Sequence, residues 1–71
     1  SYIGVDRAKS IALSHAGFQA GSVTFTKAKL ENDDGASVYE IEFRKGSTEY
    51  DYSIDAYKGT ILEWDKDTDH D

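Results

Sequence analysis

Few residues of this chain are equipped for chemistry. His15 and His70 are its only side chains that ordinarily exchange a proton near neutral pH. A histidine becomes a hydrolytic base only beside a nucleophile held on a strained turn or in a pocket. No segment resembles such a turn. His15 has no partner nearby in sequence, and His70 stands next to the last residue. The 14 Asp and Glu residues would permit paired-carboxylate catalysis. They fall mainly on strand positions expected to face water, where little tunes a catalytic group. The expectation is a protein with no catalytic residue, no cofactor and no enzyme activity.

Asp65-Lys66-Asp67-Thr68-Asp69 has the D-x-D-x-D opening of a Ca²⁺ loop. It lacks the glycine at the sixth position and the bidentate glutamate at the twelfth. Asn32-Asp33-Asp34 likewise groups oxygen-bearing side chains at a turn. Both read as turn chemistry and solubility, with at most weak Ca²⁺ binding in the millimolar range. No metal ligand set is assigned.

The elements that position these residues follow from periodicity. Residues 4–17 read as the only helix, with Gly4 as N-cap, Asp6 in the first turn and Gly17 as a left-handed stop. Ala8, Ile11, Ala12, His15 and Ala16 make a narrow stripe of mostly small residues, suited to close packing on a sheet. Strands are expected at about 22–31, 37–45, 48–55 and 60–65, followed by a frayed acidic tail, 66–71. The expected fold is α+β: one N-terminal helix on one face of a four-stranded antiparallel meander, forming a single domain over residues 1–71.

Side-chain pairing sets the register. In the first strand, a bulge near Thr26–Lys27 would bring Val23, Phe25, Ala28 and Leu30 to one face. Leu30 opposite Tyr39 then places Lys29 against Glu40 and Lys27 against Glu42. Gly35 supplies the positive φ of the first hairpin, and Gly46-Ser47 suits a two-residue turn of type II′ or I′. That turn pairs Phe43 with Tyr50, Ile41 with Tyr52 and Tyr39 with Ile54. Outside, Arg44 meets Glu49, whereas Glu42 meets Asp51. The last turn needs Asp55 as an Asx acceptor and Gly59 at positive φ. It would pair Ile54 with Leu62 and Tyr52 with Trp64, leaving Ile61 outside. Tyr57, at the tip of this turn, has no core role in that arrangement. An exposed aromatic on a rigid hairpin makes a good contact residue, so Tyr57 and the adjacent Ile61 are the candidate partner contacts.

Composition narrows the partners. Eight Lys and Arg against 14 Asp and Glu give a net charge of −6. This disfavours nucleic acid and anionic membrane surfaces. There is no cysteine, so no disulfide or thiolate metal site reinforces the fold. No apolar run reaches membrane-spanning length, and no signal-peptide core is present. The chain opens at Ser1 without Met and reads as a piece of a longer protein. It is expected to be monomeric.

Tyr39-Glu40-Ile41-Glu42-Phe43, followed by Tyr50-Asp51-Tyr52-Ser53-Ile54-Asp55-Ala56-Tyr57-Lys58-Gly59-Thr60-Ile61-Leu62, resembles the PepSY domain. That family carries a "YEVEF…G…EYEVxIDAxTGEIL" run behind a helix of the form "A…IAL.HAG". The helix counterpart here is Ala8-Lys9-Ser10-Ile11-Ala12-Leu13-Ser14-His15-Ala16-Gly17. The resemblance runs from Ile3 to about Asp65, with Lys58 replacing the usual Thr before the glycine. It implies a domain of thermolysin-type protease propeptides and of bacterial secreted or membrane-anchored proteins, often in tandem copies. It further implies an extracytoplasmic location, a peptidase or other protein as partner, and inhibition or local regulation of peptidase activity. The family brings no catalytic residues. The alternative is a structural spacer in a secreted or surface protein.

Overall fold

The computed structural model describes residues 1–69, apart from the side chain of Asp33; the expected role of His70 and the last of the tail lie outside these residues. Helix α1 (Val5–Ala16) is followed by a 3₁₀ turn (Ala20–Ser22) and strands β1 (Thr24–Asp33), β2 (Ala36–Lys45), β3 (Thr48–Asp55) and β4 (Ile61–Thr68). The strands form one antiparallel sheet in the order β1-β2-β3-β4. This is the α+β arrangement expected from the pattern. β4 continues to Thr68, so residues 66–68 of the expected frayed tail are strand. Thr48 and Thr68, opposite each other, share a 3.0 Å hydroxyl hydrogen bond at that end.

Gly4 caps α1 at a positive φ of 95°, its carbonyl accepting from Ala8 N–H, and Gly17 ends the helix in the left-handed region. Ala8 and Ala12 have no solvent exposure, because the helix lies directly on the sheet. Leu13, outside the expected stripe, is buried too, whereas His15 is exposed. The core joins these helix residues to Tyr39, Ile41, Phe43, Tyr52, Ile54 and Ala56. Full burial of side chains such as Phe43, Ile41 and Ile54 stabilises by roughly 2 kcal/mol each.

The bulge in β1 falls between Phe25 and Lys27, and beyond it Leu30 meets Tyr39 and Lys27 meets Glu42. The Lys27 ammonium sits 3.3 Å from the Glu42 carboxylate. Lys29 is also opposite Glu40, but its ammonium turns along its own strand to Glu31, 3.0 Å away. Residues i and i+2 share a sheet face, so the two partners compete at similar reach. The β2–β3 pairs Phe43↔Tyr50, Ile41↔Tyr52 and Tyr39↔Ile54 all form.

The last hairpin departs from expectation at one point. A register shift between Ser53 and Ile54 sets Ile54 opposite Ile61, while Tyr52 still faces Trp64. Leu62 is thus the extra residue. Ile61 packs against the core, and Leu62 is half exposed. One inserted residue exchanges the inward and outward positions before the strand resumes its alternation.

Two turn glycines differ in what surrounds them. Gly46 alone has positive φ in its turn, the II′ pattern, and a Cβ there would meet open space. At Gly59, φ 76°, a Cβ would stand 3.1 Å from Ile11 Cδ1. Gly46→Ala is expected to cost about 1–2 kcal/mol for the left-handed backbone alone. Gly59→Ala should lower the urea midpoint further, by crowding the helix. Equal midpoints for the two variants would mean that Ile11 Cδ1 moves aside and the turn does not hold the helix in place.

Candidate functional site

The β3–β4 turn is built around Asp55. Its backbone N–H donates to Thr60 O at 2.8 Å, and its carbonyl accepts from Gly59 N–H at 2.9 Å. Its carboxylate Oδ1 accepts from the N–H groups of Tyr57 at 2.8 Å and Lys58 at 2.9 Å. The Lys58 N–H, and then that of Tyr57, hold the Asp55 carboxyl below its ordinary pKa. Ala56, fully buried, donates to Ser37 O and accepts from Ile3 N–H, tying the turn to β2 and to the start of the chain. These hydrogen bonds fix the platform from both sides.

Tyr57 stands on this platform with 59% of its surface exposed. The Tyr2 ring lies against it, centroids 4.9 Å apart and tilted by 55°. Tyr2, itself 43% exposed, bonds through its hydroxyl to Ser37 Oγ at 3.2 Å, and Ser37 donates to Asn32 Oδ1. The corner is therefore a pair of tyrosines from opposite ends of the chain. Tyr57 was evident from the sequence; Tyr2 was not, because nothing local links it to the turn. Ile61, the other expected contact, faces the core. The exposed apolar residue beside the turn is Leu62.

His15 finds a partner across the sheet. Its Nδ1 lies 2.8 Å from the Tyr52 hydroxyl, and its ring packs edge-on against Trp64 at 4.8 Å. Trp64 remains 47% exposed beside it. Burial pushes the Tyr52 phenol above its ordinary pKa, with Tyr50 adding to the effect.

On the opposite face, Val38 is buried, and Leu62 helps line a hollow of about 310 Å³ with Val38, Glu40, Asp51, Ser53 and Glu63. Ser53 donates to Glu40 across the strands. Burial raises the pKa of Asp51, and the charges of Glu42 and Glu40 raise it further. Asp65 and Asp67 occupy alternate positions of β4, so the Ca²⁺-loop resemblance ends in a strand.

Asp55 and Asp51 oppose each other in pH dependence. A lowered folded-state pKa stabilises fully above the unfolded value and is lost as pH falls through the lower folded value. A raised pKa contributes below the unfolded value and is lost as pH rises through the folded one. Asp55→Ala should therefore lower the urea midpoint at about pH 7, with a smaller deficit at about pH 2. Asp51→Asn should raise the midpoint at neutral pH and change it least in acid. The same sign for both variants at neutral pH would contradict the two environments.

A family model described as "Peptidase propeptide and YPEB domain", PepSY, matches residues 2–65. The uncharacterized protein Spy1430 of Streptococcus pyogenes serotype M6 is 45% identical over 58 residues, which cover 82% of this chain and 45% of that protein. The uncharacterized protein YkoJ of Bacillus subtilis is 38% identical over 63 residues, covering 87% of this chain and 34% of that protein. The chain thus spans less than half the length of either relative. No solved structure gives a significant match. Because the matched region takes in α1, the paired strands and the Asp55–Gly59 turn, this chain belongs to the PepSY family.

Proposed function

We propose that the domain is a non-enzymatic interaction module that acts outside the cytoplasm, as a monomer, by binding a peptidase and restraining or regulating it. The Tyr2–Tyr57 corner carries this reading. Tyrosines lose little conformational freedom on binding and bring a large amphipathic surface, which is why they recur at the centres of interfaces. Here the turn beneath them is already held by the Asp55 carboxylate, so docking costs little ordering. The peptidase-propeptide description of the family supplies the class of partner. Among the described residues, no helix is long and apolar enough to cross a membrane.

A spacer role is the second reading, favoured by the greater length of both relatives. A thermolysin-type metalloprotease assayed with micromolar domain separates the two. Regulation predicts inhibition and co-elution on gel filtration, with Tyr57→Ala and Tyr2→Ala each weakening the complex about tenfold or more. Neither inhibition nor co-elution would leave the spacer reading standing.

A further inference from the structure

The two edges of the sheet are not equivalent. β1 is interrupted by its bulge, carries Lys27 and Lys29, and has the Lys9 ammonium 4.8 Å above Phe25. These are the devices by which natural sheets blunt an edge. β4 has the bulge at its start and a single lysine, Lys66, which lies opposite Tyr50 on the Trp64 face. From Glu63 to Thr68 it pairs in unbroken register with Ser53 to Thr48, and every side chain from Leu62 to Thr68 is exposed. Its far side has no strand against it among the described residues. That leaves about 20 Å of regular edge with unpaired backbone donors and acceptors.

The side chains along this edge select an occupant. Glu63, Asp65 and Asp67 occupy alternate positions on the face away from α1, opposite Ser53, Asp51 and Glu49. The ion pairs of the described residues are Lys27–Glu42, Lys29–Glu31 and Arg44–Glu49, and none reaches β4. One cross-strand row reads Lys27, Glu42, Asp51, Asp65, and the next reads Lys29, Glu40, Ser53, Glu63. Each begins with a cation at the β1 edge and ends with a carboxylate at the β4 edge. Burial raises the pKa of Asp51, and the neighbouring Glu42 and Glu40 charges add to it. On the other face Trp64 offers an open ring at the edge.

We infer that β4 is a docking edge for an extended segment of a partner protein bearing Lys or Arg at alternate positions, added antiparallel as a fifth strand. The cations face Glu63, Asp65 and Asp67, and the intervening side chains lie along Trp64. Backbone hydrogen bonds supply attachment, and the alternating charge supplies selection. A second copy is the poorer occupant, since two bodies of net charge −6 repel and the β1 edge is blunted. The inference is independent of whether the partner is a peptidase.

The test titrates a short synthetic peptide of alternating Lys and Val into the domain, beside a peptide of the same composition with its lysines in one block. Binding of the alternating peptide should shift Trp64 emission to the blue and confine amide shifts to β4 and its neighbours. It should weaken with added salt and fall at least tenfold in Asp65→Lys/Asp67→Lys, whose fold is checked by circular dichroism. Ser10→Ala, at an exposed position of α1, should bind it normally. Equal affinity for the blocked peptide would reduce the effect to bulk charge and overturn the inference. Absence of binding would do the same. Concentration-dependent β4 shifts without peptide would assign the edge to a second copy, also against the inference.

Discussion

The structure depends on a row of aromatic rings laid across the strands beneath α1. Phe43 and Tyr52 stack with centroids 6.0 Å apart, and Tyr52 and Trp64 with centroids 5.9 Å apart, each pair within about 15° of parallel. Tyr50 extends the row beside Phe43. Because side chains alternate faces along a strand, a slip of one residue in β2, β3 or β4 would throw its rings to the wet side. The row therefore sets the register, and the register sets the positions of the outer charges. Ala8 and Ala12 let the helix settle close above it. The Tyr52 hydroxyl, bonded to His15, gives the most buried of these polar rings a partner at the helix end.

This logic also explains what could be read from the residues alone. The β1 bulge, the Lys27–Glu42 pair, and the register of β2 with β3 were legible because alternation and opposite charge demand them locally. The same is true of the Asx acceptor at Asp55. The exchange of Ile61 with Leu62 was not legible. Both are apolar, so hydropathy alone does not tell which of them a bulge will turn outward. Leu13, next to Ala12 on α1, joined the core although it lies outside the stripe that helical spacing picks out. The choice of Glu31 by Lys29 is made by a flexible side chain with two acceptors in reach. The least accessible contacts were Tyr2 with Tyr57 and His15 with Tyr52, each joining residues far apart in sequence. Only the closed fold brings them together.

The two proposed contact surfaces share a physical feature: neither calls for rearrangement of the core. The tyrosine corner rests on a turn already closed by its own hydrogen bonds, and the outer sheet face is displayed by strands fixed from the other side. A 71-residue domain has little stability to spare, so building contact surfaces from settled parts protects the fold while leaving its exterior free to vary.

The uneven distribution of charge across the outer face gives the molecule an electric polarity transverse to its strands. On the β1 side Lys27 and Lys29 offset the carboxylate of Glu31, whereas Glu63, Asp65 and Asp67 leave the β4 side negative. The domain therefore has a direction as well as a net charge. In the field of a positively charged body it experiences a torque as well as an attraction, and it turns its β4 side forward before contact. Encounters are thereby pre-aligned, which raises the fraction that lead to attachment, and salt erodes the alignment along with the attraction.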